Sequence, residues 1–164
     1  MRKRLAWLVS LSLIIGLATT GSVAASDNVV TLTARLAGTN EIPPADPDGT
    51  AKATVMINVD AGEVCFEFKN LKDTGTPNRG HIHRGDAVTN GPIVVPFFEL
   101  RPQDAPATDA RHDALESGRF GDCVPGDPAI LAEIVANPGG FYVNLHNTRF
   151  PAGQMRCQLE PRGG

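Results

Sequence analysis

Basic residues are in short supply in this 164-residue chain, and no run of them occurs beyond its first four positions. Fifteen Lys and Arg face eighteen Asp and Glu. Setting aside Arg2, Lys3 and Arg4 as part of a removable leader leaves twelve, and a formal charge of −6. Such a chain has no basic cluster to hold a row of phosphates, which argues against nucleic acid and against an anionic membrane surface as partners. Long apolar runs are lacking as well: after Leu17 none approaches the roughly 20 residues of a membrane span. Aromatic residues are only 5 % of the chain, and no internal repeat or low-complexity tract occurs.

The single apolar run opens the chain. Three basic residues, an apolar stretch from Leu5 to about Leu17, and small residues with Val23 and Ala25 at cleavage positions read as a signal peptide over 1–25. The mature chain, 26–164, has the size of one domain with a real core. The expectation is an exported protein, periplasmic or secreted, with no membrane span after cleavage. Oligomeric state is left open by the sequence.

Glycine and proline are plentiful, at 17 and 13, and the apolar residues come in short alternating runs. Leu32, Ala34 and Leu36 share one side; Ala53, Val55, Ile57 and Val59 do so more clearly, and so do Val64, Phe66 and Phe68 beyond the turn residues Asp60-Ala61-Gly62. A period of two is the signal of a half-buried strand, and the turn makes the last two a hairpin. Further runs lie at Ile93–Phe98, Phe141–His146 and Gln154–Leu159. One segment has helical spacing: Asp127-Pro128 starts it, Ile130, Leu131, Ile134 and Val135 form its stripe, and Asn137-Pro138-Gly139 ends it. Between Glu99 and Pro125 the chain is polar and weakly periodic, which predicts a long loop. Together these predict an all-β fold, an antiparallel Greek-key-like β-sandwich or flattened barrel with one short helix at about 128–136.

An odd cysteine count in an exported protein implies one disulfide and one free thiol. Cys157 shares the apolar side of its run with Met155 and Leu159, which predicts a buried small hydrophobe. Cys65 sits on the polar side of its strand, where Cys123 in the predicted loop can reach it. The favoured pair is therefore Cys65 with Cys123, with Cys157 as the free thiol; Cys123 with Cys157 stays open as an alternative.

Of four histidines, His81 and His83 form an H-x-H pair. In an extended segment both imidazoles point to one face, their Cα atoms roughly 7 Å apart. His146 lies on another strand, on the side of Asn144 and Tyr142. A third imidazole arriving from a neighbouring strand suits copper or zinc. The alternative is a set of histidines hydrogen-bonded to nearby backbone. Asp86 and Glu41 are candidates to orient them, and His112, in the predicted loop, is expected to be solvated.

Four stretches resemble the CHRD domain, the module repeated in chordin and found singly in bacterial exported proteins. They are Leu36-Ala37-Gly38-Thr39-Asn40-Glu41-Ile42-Pro43-Pro44 with Gly49-Thr50-Ala51; Gly80-His81-Ile82-His83-Arg84-Gly85 with Asn90-Gly91-Pro92-Ile93-Val94-Val95; Phe141-Tyr142-Val143-Asn144-Leu145-His146-Asn147; and Pro151-Ala152-Gly153-Gln154-Met155-Arg156-Cys157-Gln158-Leu159. The resemblance spans nearly all of 26–164, implies a single CHRD domain, and supports the Cys65–Cys123 pair. The chain departs from the family's usual glycine at Cys157 and threonine at Asn147.

A weaker likeness concerns the site. His81-Ile82-His83, the late His146 and Gly153-Gln154-Met155-Arg156 are similar to the copper-ligand pattern of Cu/Zn superoxide dismutases. That likeness implies His81, His83 and His146 as copper ligands and Arg156 as a guide for a small anion. The favoured alternative for Arg156 is a salt bridge or a backbone tie on the last strand, and Asn144 and Glu41 are further candidates for hydrogen-bonding support. A bridging histidine and a zinc loop are missing, so a complete dismutase is not expected.

Three functional classes follow. The first, the leading reading, is a non-enzymatic binding or structural β-sandwich whose histidine cluster is either a hydrogen-bonded core or a metal site, with no cofactor certain and copper or zinc the candidates. The second is a copper- or zinc-binding envelope protein. The third, implied by chordin's role as an extracellular regulator, is a protein-interaction module. That module needs an exposed aromatic patch, for which Phe97, Phe98, Phe120 and Phe150 are the candidates; of the adjacent Phe97 and Phe98, a regular strand turns only one inward.

Overall fold

Alternation along the chain becomes an antiparallel sheet in the computed structural model, which describes residues 28–100, 114 and 117–163. The predicted signal peptide and His112 lie outside these residues. The strands are β1 (Val29–Ala37), β2 (Thr50–Asn58), β3 (Glu63–Lys72), β4 (Arg79–Arg84), β5 (Ile93–Glu99), β6 (Arg119–Pro125), β7 (Phe141–His146), β8 (Met155–Gln158) and the short β9 (Glu160–Pro161). The α-helix α1 (Pro128–Ala136) falls where the helical spacing places it, and two 3-10 turns lie at Gly38–Asn40 and Pro138–Gly140. Asp127 caps it, its side chain accepting from the Ala129 amide at 2.8 Å, and Leu131 and Ile134 are buried from it.

The nine strands form one sheet in the order β5-β4-β7-β8-β1-β2-β3-β6, with β9 beside β1. The sheet curls into a nearly closed barrel whose two end strands meet through side chains. Phe98 of β5 stands edge-on to Phe120 of β6, ring centroids 5.2 Å apart, and Phe97 stacks on Phe66 at 4.4 Å. Each phenyl ring removed from water contributes about 1.5–3 kcal/mol. Leu32, Ala34, Leu36, Ala53, Val55, Ile57, Val64, Phe66 and Phe68 point inward as the alternation predicts.

Three expectations need correction. Residues 119–125, expected within a loop, form β6 against β3. Of this strand only Phe120 is buried, since Gly121 and Asp122 interrupt any apolar alternation. Phe97 and Phe98 are both buried, at 5 % and 6 % exposure: Gly80 pairs with Phe98 but His81 with Pro96, so Phe97 is the extra residue of a β-bulge that turns both rings inward. Cys157 is half-buried rather than buried, and free. Cys65 and Cys123 face each other across β3 and β6 and are joined by a disulfide.

Candidate metal centre

The outer face of β4, β7 and β8 carries polar residues where a barrel surface would ordinarily meet water, yet most of them are buried. Register decides which meet. His81 pairs with Asn144, and Asn144 with Arg156; His83 pairs with Tyr142, and Tyr142 with Gln158; Arg79 pairs with His146. The residues around 38–47 and 85–92 supply partners to this face. The Asn40 side chain donates to the Arg156 carbonyl at 3.1 Å, and that of Asn90 to the Ile42 carbonyl at 2.8 Å.

His81, His83 and His146 converge here, each offering one ring nitrogen within 4.8 Å of the others. A carbonyl only accepts, which settles two tautomers. His83 Nδ1–H donates to the Gly91 carbonyl at 2.8 Å, and His146 Nδ1–H to the Pro151 carbonyl at 3.2 Å. Both Nε2 atoms are then bare lone pairs. That of His146 faces His81 Nδ1 at 3.3 Å; that of His83 is buried and without a hydrogen-bond partner. A histidine held at one nitrogen by a carbonyl, with its other lone pair aimed at a neighbouring imidazole cluster, is the usual preparation of a metal ligand. Gly91 is needed for this arrangement, because a Cβ there would collide with the Arg84 carbonyl.

Burial holds the three rings neutral. Desolvation first, then the His146 and His83 charges and Arg79, bring His81 down to a pKa of about 4. His146 is brought to about 4 by burial and Arg79, against the Pro151 hydrogen bond. His83 is lowered by burial, which outweighs the hydrogen bond to Gly91. Neutral imidazole is the form that binds a cation.

Tyr142 separates His83 from Arg156. The His83 ring lies parallel to the Tyr142 ring, 4.9 Å between centroids, and the Arg156 guanidinium lies 3.4 Å from the Tyr142 ring centre. Arg156 is 1 % exposed, and its forks donate to the carbonyls of Thr89 (3.1 Å) and Asp86 (2.8 Å) and to the Asn90 side chain (3.1 Å). These bonds tie residues 86–90 to the barrel and leave the guanidinium engaged rather than open to an arriving anion. Glu41 is also buried, accepting from Asn144 Nδ2 at 2.9 Å. It packs so closely on Gly153 that a Cβ there would sit 2.5 Å from its Oε2.

The three histidines thus meet, with Asn144, Arg156 and Glu41 in the adjoining rows. Asp86 does not orient a histidine: its carboxylate accepts from the Val88 amide and the Thr89 hydroxyl. Glu41 holds Asn144 rather than an imidazole. The aromatic patch does not form either, since Phe97, Phe98 and Phe120 are in the core and Phe150 is half-buried. The residues that sequence reading passes over are Tyr142 as a stacking partner and the carbonyls of Gly91 and Pro151. No side-chain pattern announces a backbone acceptor.

An antiparallel barrel with a disulfide-tied edge and a buried polar patch on its outer face defines the class: a β-barrel domain with a histidine cluster. The chain belongs to the CHRD-domain family, whose model matches residues 32–159. Comparison with curated proteins and with solved structures finds no match. The CHRD domain is an extracellular type of domain, and among the described residues no helix is long and apolar enough to cross a membrane.

Proposed function

We propose that this CHRD-domain protein is exported and binds a copper or zinc ion through His81, His83 and His146. The observation that carries the reading is the buried, unpartnered Nε2 of His83, on a ring that clusters with two further imidazoles, one nitrogen of each within 4.8 Å of the others. The donor set fits: three imidazole nitrogens accept either metal and leave a coordination position open, and copper(II) is favoured by intrinsic affinity. A shared ion about 2.0–2.1 Å from each nitrogen keeps its ligands within about 4.2 Å of each other, so a small inward movement of the rings completes the site. Export is supported by the leader pattern of residues 1–25 and by the disulfide, which persists in oxidising compartments. The 3.3 Å contact between His81 and His146 favours a second reading, in which the two rings satisfy each other and the cluster is part of the fold.

Calorimetry and elemental analysis of the metal-free mature protein with Cu(I), Cu(II) and Zn(II) separate the two. One ion per chain is expected, bound more tightly than about 10 μM, or about −7 kcal/mol. Binding is lost in the His81→Ala/His83→Ala variant and declines as the pH falls below the ordinary histidine range toward about 4, where His81 and His146 take up protons. No binding at this threshold, or equal binding by the variant, overturns the metal reading.

A further inference from the structure

Four cations stand in a row on a different arc of the barrel. Arg35 on β1 lies directly opposite Lys52 on β2, Lys52 opposite Lys69 on β3, and Lys69 opposite Arg119 on β6. With strands about 4.8 Å apart, the row runs roughly 14 Å across the sheet. Like charges directly opposite each other disfavour a sheet, and here three such pairs follow one another in a chain with more acids than bases. Glu67 offsets part of this, meeting Lys69 and Arg119 at 2.7 Å each. Arg35 and Lys52 make no ion pair among the described residues. Arg35, Lys52 and Lys69 line a cleft of about 550 Å³ to which Arg162 adds a further cation; Thr33 and Thr54 line it too, and the further carboxylate on its wall is Glu160.

We propose that this cleft binds an acidic polysaccharide of the polyuronate type, its carboxylates along the cationic row and its hydroxyls against Thr33 and Thr54. A polyuronate carries one carboxylate per sugar ring, a linear repeat of the same order as the spacing of strands in a sheet. Arg35 and Lys52, whose side chains make no ion pair among the described residues, and the surplus of positive charge complement that repeat. Single-stranded nucleic acid is disfavoured because no aromatic side chain lines the cleft for bases to stack on. A bilayer is disfavoured because a flat surface does not enter a concave one. The proposal is independent of the metal reading.

The test is calorimetric titration of the mature chain with polygalacturonate oligomers of defined length, at low and at physiological ionic strength. Binding is expected to weaken with salt, to vanish for fully methyl-esterified oligomers, and to be at least tenfold weaker in an Arg35→Glu/Lys52→Glu variant. An Arg35→Gln/Lys52→Gln variant, with its melting temperature checked, shifts affinity in the same direction without reversing charge. The proposal is overturned by absent binding, by equal binding of the esterified oligomer, or by unchanged affinity in both variants. Tighter binding to duplex DNA or to phosphatidylglycerol vesicles than to the oligomer overturns it as well.

Discussion

Replacing Glu41 by glutamine tests whether this protein carries an ionisable group whose charge opposes folding. The carboxyl group is 6 % exposed, accepts one hydrogen bond from Asn144, and has no ion pair within 4 Å among the described residues. Burial raises its pKa from 4.5 to about 7, against the lowering effects of Arg156 and of the Asn144 hydrogen bond. The sign follows from linkage. Below about pH 4.5 the group is protonated in both the folded and unfolded chain. Between about 4.5 and 7 the folded protein holds a proton that the unfolded chain has released, so the stability it contributes is complete below the unfolded value and lost as pH rises through the folded one. At about 1.4 kcal/mol per pKa unit the ceiling of that loss is about 3 kcal/mol. Glutamine keeps the oxygen that accepts from Asn144 and has no charge to bury. The variant is therefore expected to match the parent near pH 4.5 and to exceed it by about 1–3 kcal/mol at pH 8.5. At roughly 2–4 °C per kcal/mol, this is a gain of about 2–12 °C in Tm. The assay is urea and thermal unfolding of both metal-free proteins across pH 4.5–8.5, where the histidines titrate alike in both and cancel. A stability difference that does not change with pH, or a variant less stable throughout, refutes the reasoning.

Two further perturbations address the frame around the site. Reducing the Cys65–Cys123 disulfide, or replacing both cysteines by serine, releases a closed loop of 58 residues' separation and is expected to cost about 4 kcal/mol in the chain-entropy account; a urea midpoint unchanged by reductant contradicts it. Arg156→Lys keeps the charge but cannot reproduce the forked donation to two carbonyls and Asn90 or the stack on Tyr142. It is expected to cost about 2 kcal/mol or more and to speed amide exchange at residues 86–90, whereas unchanged protection there shows that this arginine does not hold the segment.

What is legible from sequence follows the wetting of each strand. In β1, β2 and β3 one face is dry and the other wet, so the alternation at Leu32–Leu36, Ala53–Ile57 and Val64–Phe68 states both the strand and its inner face. β6 is an end strand with a single buried side chain, and a strand that buries so little leaves no period to read. The pair Phe97-Phe98 misleads for the opposite reason: a bulge breaks the period that the reading assumes. At the site, the H-x-H spacing implies a shared face because that inference needs only the pleat. The meeting with His146 depends on β4 pairing with β7 in one register, which the sequence leaves unspecified. Arg156 has a local neighbourhood of Met155 and Cys157, and nothing in it indicates a guanidinium folded under residues 86–90.

Both candidate sites arise from the same device, and it explains why the basic row escapes a linear reading. A sheet converts distant positions into neighbours at about 4.8 Å, so Arg35, Lys52, Lys69 and Arg119 are dispersed along the chain and contiguous on the barrel. The histidines and the cations use different strands: β4 and β7 for the first, β1, β2, β3 and β6 for the second. Between them lies β8, whose Arg156 spends its donors on residues 86–90 and whose Cys157 faces the cationic cleft. Burial holds the Cys157 thiol above its usual pKa, so it stays protonated at neutral pH and offers the neighbouring arc neither a ligand nor a charge. β8 joins the two arcs through backbone pairing with β7 and β1 and through a bond between the Cys157 thiol and the Arg35 backbone. None of these involves the histidine or cation side chains, so side-chain substitutions in one arc are expected to leave the other's ligand affinity unchanged, as additivity requires of separated sites. A barrel of this kind can therefore carry an ion on one side and a polymer on the other without either constraining the residues that hold its counterpart.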